Sequence, residues 1–115
     1  LNAITRRKDQ PPVRELALGD VRLNPEDAML SCTDNGKSVR LAAKEYQLME
    51  LFLRNPHQLL PKETIVERVW GFDNEAEYNH LSVYLTFLRR KIAFIGSSVE
   101  IKASRGLGYM LEEST

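Results

Sequence analysis

Between Leu16 and Leu41 the chain is cut by turn formers every few residues: Gly19-Asp20, Asn24-Pro25-Glu26-Asp27 and Asp34-Asn35-Gly36. The runs left between them, ELAL, DVRLN, AMLSC and SVRL, are too short for helices and alternate apolar with polar residues. That combination leaves one economical solution, short strands paired antiparallel through tight turns. Asn35-Gly36 is the strongest of the turn signals, because both residues tolerate positive φ. A small antiparallel sheet is therefore expected over residues 16–41.

The period then changes. In AAKEYQLMELFLRN the apolar residues Leu48, Met49, Phe52 and Leu53 recur at helical spacing, flanked by Tyr46. Asn55-Pro56 closes this helix, since a residue before proline is pushed out of the α region. A short extended piece, Gln58 to Leu60, leads to Pro61 and the segment KETIVERVW. There Ile65, Val66, Val69 and Trp70 share a face, and Gly71 ends the helix. Residues 71–76, GFDNEA, form a turn-rich loop. The third helix is expected from about Glu77 to Ile95, with Gly96 beyond its end, and would be about 28 Å long at about 1.5 Å per residue. VEIKA and YMLE, joined by SRGLG, form a C-terminal hairpin.

Composition bounds what such a fold does. With 115 residues, 43% hydrophobic and 28% charged, the chain suits one globular domain. Residues 1–15, with Pro11-Pro12 and many charges, are expected to be a linker, and residues 16–113 the domain. With a start at Leu1 and no methionine, the chain is expected to be a piece of a longer protein. No run approaches the roughly 18 apolar residues of a membrane span, so no membrane partner is expected. Nor is there the apolar region of a signal peptide. The single cysteine, Cys32, permits no intrachain disulfide, which suits a reducing compartment. It alternates with Leu30 and Ala28, the pattern of a buried strand position.

Formal net charge is zero, but it is unevenly distributed. Residues 16–77 carry seven basic against eleven acidic side chains, and residues 78–109 five against one. A local basic segment matters more for binding a polyanion than the total does. Within it, Tyr78, Leu81, Leu85, Leu88 and Ile92 form the inward stripe of the third helix. Asn79, Val83, Thr86, Phe87 and Arg90 lie opposite, flanked by Ser82 and Arg89. The major groove of B-DNA, about 12 Å wide, admits such a helix. Amides, hydroxyls and arginines match base edges or phosphates there, and Val83 and Phe87 suit thymine methyl groups. The run Arg89-Arg90-Lys91 fits phosphate contact better than a merely solvated helix end. A helix, a turn, a helix, a longer helix and then a hairpin is the winged-helix order. Arg105-Gly106 at the hairpin tip suits a narrow minor groove, whose negative potential attracts arginine.

LAAKEYQLMELFLRNP (41–56), VERVWG (66–71), VYLTFLRRKI (83–92) and RGLGY (105–109) together resemble the C-terminal effector domain of OmpR/PhoB-type response regulators over about residues 16–112. The resemblance implies an α+β fold, a winged helix-turn-helix with an N-terminal four-stranded antiparallel sheet, three helices and a C-terminal β-hairpin. It implies a bacterial, cytoplasmic transcriptional regulator of a two-component system that binds double-stranded DNA, as a homodimer on tandem half-sites. A sensor histidine kinase would act through a receiver domain absent from these residues. Contact with RNA polymerase is implied for the loop Gly71, Phe72, Asp73, Asn74, Glu75 and Ala76. By position, base-facing roles fall on His80, Ser82, Val83, Thr86 and Phe87. Phosphate-facing roles fall on Lys62, Trp70, Asn79, Arg89 and Tyr109, with Trp70 expected to pack its ring and leave its indole N–H near phosphate. The minor-groove arginine is Arg105, beside Gly106. The family often has an acidic residue at Ser82 and an arginine at Phe87, so the preferred DNA sequence departs from that of typical members.

No glycine-rich phosphate cradle, nucleophile–base arrangement or metal-ligand spacing is present, so neither catalysis nor a cofactor is expected. RGLGY follows a strand but opens no helix, which disqualifies it as a dinucleotide loop. His57, His80 and Cys32 lack ligand spacing. The alternative is a winged helix used for protein–protein contact, with the acidic segment 16–77 facing the partner.

Overall fold

Turn chemistry and alternation act first in the computed structural model, which describes residues 16–71 and 77–113, except for the side chains of 77–79. Strands β1 (Leu16–Leu18), β2 (Val21–Asn24), β3 (Met29–Cys32) and β4 (Ser38–Arg40) form one antiparallel sheet in chain order. Val21 pairs with Cys32 and Leu23 with Leu30, so the period of two places these four side chains on one buried face. Cys32 is a buried free thiol, as its alternation predicts.

Helix α1 (Ala43–Arg54) lays Leu48, Met49 and Phe52 wholly inside the core. Phe52 is among the largest fully buried side chains, and its loss to alanine would cost roughly 3–5 kcal/mol. At the start of α1 the Glu45 carboxylate accepts from the Ala42 amide at 2.7 Å. At its end the Asn55 side chain donates to Leu51 O at 2.9 Å before Pro56 stops the helix. Helix α2 (Lys62–Trp70) buries Ile65, Val66 and Val69 and ends at Gly71, whose amide donates to Val66 O and Glu67 O. Helix α3 (Glu77–Phe94) is the longest element. It leads into β5 (Val99–Ser104) and β6 (Gly108–Glu113), a separate antiparallel hairpin.

One hydrophobic cluster joins the sheet face, the three helices and the hairpin base through Val99, Ile101 and Leu111. The short extended piece expected at 58–60 has a definite partner. Leu60 N–H donates to Tyr109 O at 2.8 Å and Tyr109 N–H to Leu60 O at 3.0 Å, so this segment flanks β6. No helix among the described residues is long and apolar enough to cross a membrane.

Candidate nucleic-acid interface

Helix α3 divides by exposure as its periodicity predicts. Leu81, Leu85, Leu88 and Ile92 are buried, none more than 4% exposed. On the other side His80, Ser82, Val83, Thr86, Phe87 and Arg90 are exposed. Val83 is 46% and Phe87 41% exposed, so large apolar groups stand in water on the polar side of this helix. Thr86 Oγ1 donates to Ser82 O at 2.9 Å. Its proton is thereby committed to the helix, and toward an incoming ligand the hydroxyl acts as an acceptor.

An aromatic row fixes the direction of Phe87. The Trp70 and Tyr84 rings lie 5.6 Å apart, tilted by 52°. Tyr84 and Phe87 meet edge to face at 6.2 Å and 88°. Lys44 Nζ sits 5.6 Å from the centre of the Trp70 ring and donates to Val69 O at 3.0 Å. The end of α2 and the middle of α3 are thus joined by a row of tilted and edge-to-face rings, with Phe87 at the open end. Trp70 packs its ring as the sequence suggested. Tyr84 was not singled out there, although its i,i+3 spacing to Phe87 is the signal for such a pair.

The run Arg89-Arg90-Lys91 does not act as one group. A helix turns about 100° per residue, so three neighbours face three ways. Lys91 turns inward: Nζ donates to Glu45 Oε1 at 2.6 Å and to Arg40 O at 2.9 Å, and Glu45 is only 5% exposed at its side chain. Arg89 turns toward the hairpin, donating from Nε at 3.1 Å and Nη2 at 2.8 Å to Ile101 O. Arg90 faces solvent with the exposed row.

The hairpin carries Arg105, Gly106 and Leu107 at its tip, all exposed, with Leu107 at 62%. Gly106 has φ +75 with open space around it, so the backbone rather than crowding favours glycine. Gly108 is different. At φ +151, a Cβ there would lie 2.0 Å from Leu60 O, so only glycine lets β6 approach this segment. That approach sets Tyr109 against Leu60, two residues before Lys62 at the start of α2. Two positions expected to face phosphate are thereby brought into one neighbourhood. The side chain of Asn79, that of Tyr78, and the loop residues Phe72, Asp73, Asn74, Glu75 and Ala76 lie outside the described residues.

The far end of α3 is held by the sheet. Asn35 Nδ2 donates to Ile95 O at 2.8 Å. Asp20 Oδ1 accepts from the Ser97 hydroxyl at 2.7 Å, and its carboxylate also accepts from the Ser98 amide. Burial alone would raise the Asp20 pKa; the Ser97 and Ser98 hydrogen bonds outweigh it and hold the carboxyl below its ordinary value.

Residues 36–111 match the family model described as "Transcriptional regulatory protein, C terminal". The transcriptional regulatory protein DltR of Streptococcus agalactiae is 40% identical over 111 residues, covering 96% of this chain and 49% of that protein. The chain thus spans about half the length of the curated relatives it matches. The C-terminal domain of the nisin resistance regulator NsrR superposes with a TM-score of 0.74 at 35% identity, over 88% of this chain and all of that one. The DNA-binding domain of response regulator AdeR, solved with an intercistronic region, gives 0.74 at 16% identity, over 85% and 99% of the two chains; at that identity the likeness is one of fold.

Proposed function

Because the chain belongs to the OmpR/PhoB-type family of C-terminal DNA-binding domains of response regulators, we propose that it reads duplex DNA with α3 in the major groove and the hairpin, as a wing, in the minor groove. The observation that carries this reading is the exposed row Ser82, Val83, Thr86, Phe87 and Arg90 on a helix that buries Leu81, Leu85, Leu88 and Ile92 on its opposite face. Ser82, Val83, Thr86 and Phe87, with His80, face base edges; Phe87 and Val83 meet thymine methyl groups. Lys62, Trp70, Asn79, Arg89, Arg90 and Tyr109 approach phosphates, and Arg105 with Gly106 enters the minor groove.

In the longer protein, two copies occupy tandem half-sites. The loop from Gly71 through Ala76 touches RNA polymerase, and a sensor histidine kinase acts through a receiver domain. Such a regulator works in the cytoplasm, beside its DNA.

Binding of the 115-residue chain to duplex DNA, followed by fluorescence anisotropy against salt, tests the core of this proposal. Affinity should fall on a log–log plot with slope about −0.9 per neutralised phosphate. A flat response would sink it and favour the protein–protein alternative.

A further inference from the structure

Where the wing leaves the core, β5 changes character. Val99 and Ile101 are buried, whereas Lys102, Ala103 and Ser104 are exposed. Ile101 is therefore the last residue of the strand anchored by apolar packing. Its carbonyl is the atom that accepts both Arg89 bonds. Between α3 and β5 lies an open groove of about 310 Å³, walled in part by Arg89, Ile92, Val99 and Ile101. The Arg89 bonds cross this groove at the last residue that apolar packing also holds, so they act where the strand leaves the core. On the other strand, Leu111 O, opposite Ile101, accepts from the His57 amide at 2.9 Å, and the Leu60–Tyr109 pair ties β6 two residues nearer the tip, opposite Ala103. Beyond the Arg89 tie β5 has no further anchor on α3 in these bonds, and beyond Tyr109 only the tip Ser104–Leu107 projects.

We propose that Arg89 is a positioning residue: by clamping Ile101 O it sets the angle of the Arg105-bearing wing against α3. The inference rests on the DNA-reading proposal but goes beyond a phosphate contact. A guanidinium has a second edge of N–H donors, so one side chain can touch phosphate and hold the wing together. Seating of α3 in one groove and insertion of Arg105 in the next are then a single geometric event. Lysine at this position would keep the charge and the long stem but not the planar fork that grips one carbonyl with two nitrogens.

The test is a double-mutant cycle on DNA binding, with Arg105→Ala measured alone and in an Arg89→Lys background. In the wild-type background, Arg105→Ala is expected to weaken binding roughly tenfold, the size of one well-seated charged contact. In the Arg89→Lys background the same change should cost about twofold or less, because the wing is already misplaced. Arg89→Lys keeps its own charge, so its salt slope should fall by no more than the one contact that Arg105 gives up. A tenfold cost in both backgrounds would overturn the proposal. Backbone order parameters of the DNA-free chain provide the second readout. Residues 102–107 should lose order in Arg89→Lys while α3 keeps its own; unchanged wing order would also overturn the proposal. If Arg105→Ala has no effect on wild type, the minor-groove reading fails instead, and a fall in wing order still supports the tie.

Discussion

The two halves of α3 use their side chains in opposite ways. From Arg89 onward almost every polar group near the helix is engaged within the fold: Arg89 on Ile101 O, Lys91 on Glu45 and Arg40 O, Ile95 O on Asn35, and Ser97 on Asp20. From Ser82 to Phe87 the outward side chains Val83 and Phe87 stay in water although they are apolar. One half is a mount, and the other carries the face proposed to read DNA. The difference teaches that a basic run in sequence is not itself a binding surface; adjacent cations on a helix can divide between holding the helix and meeting a ligand.

Replacing the inward cation tests this division most severely. Lys91→Met would leave the Glu45 carboxylate, 5% exposed, without its ionic partner and is expected to cost about 3 kcal/mol in chemical denaturation. A variant that folds as well as wild type yet binds no DNA would move Lys91 to the reading side and break the comparison. Phe87→Ala is the converse. It gives up one exposed edge contact with Tyr84, so stability should change by less than about 1 kcal/mol. Discrimination at one or two base pairs should fall by about 1–3 kcal/mol, read from a panel of substituted duplexes. Phe87→Arg should turn the preference at that step toward guanine.

Asp20 sharpens the mount itself. Asp20→Asn weakens the hold on Ser97 and Ser98 and should cost about 1 kcal/mol at neutral pH. Because the folded-state pKa of Asp20 is depressed, its contribution is present above the unfolded value and disappears as pH falls through the lower, folded one. Acid titration of stability should therefore show a loss below about pH 4 that the asparagine variant lacks. The smallest effect belongs to Thr86→Val, within about 0.5 kcal/mol in stability, since the lost hydrogen bond is an exposed one to the helix's own backbone. Any loss of discrimination should fall at an adenine or cytosine, whose amino groups suit a hydroxyl acting as acceptor.

Much of the fold was legible in the sequence because its signals are local. Turn formers at Gly19-Asp20 and Asn35-Gly36 cut the strands, Asn55-Pro56 ended α1, and the spacing of Leu81, Leu85, Leu88 and Ile92 oriented α3. The exposed row followed from that same spacing. The partners of Arg89, Lys91 and Trp70 were not legible, because they lie on elements that only folding brings close. Phe87, an apolar residue among polar ones, was identifiable as outward-facing, yet its edge-on seat against Tyr84 depended on where the ring could lean.

The sequence alone thus determined which residues face inward and which outward on each element, since a period of two or 3.6 is written along the chain itself. Tertiary structure alone decided what the polar groups do. A guanidinium, an ammonium or a carboxylate is satisfied by whatever complementary group lies within about 3 Å, and that distance is set by packing between elements remote in sequence. So Glu45 found Lys91, Asp20 found Ser97, and Arg89 found the carbonyl where the wing leaves the core.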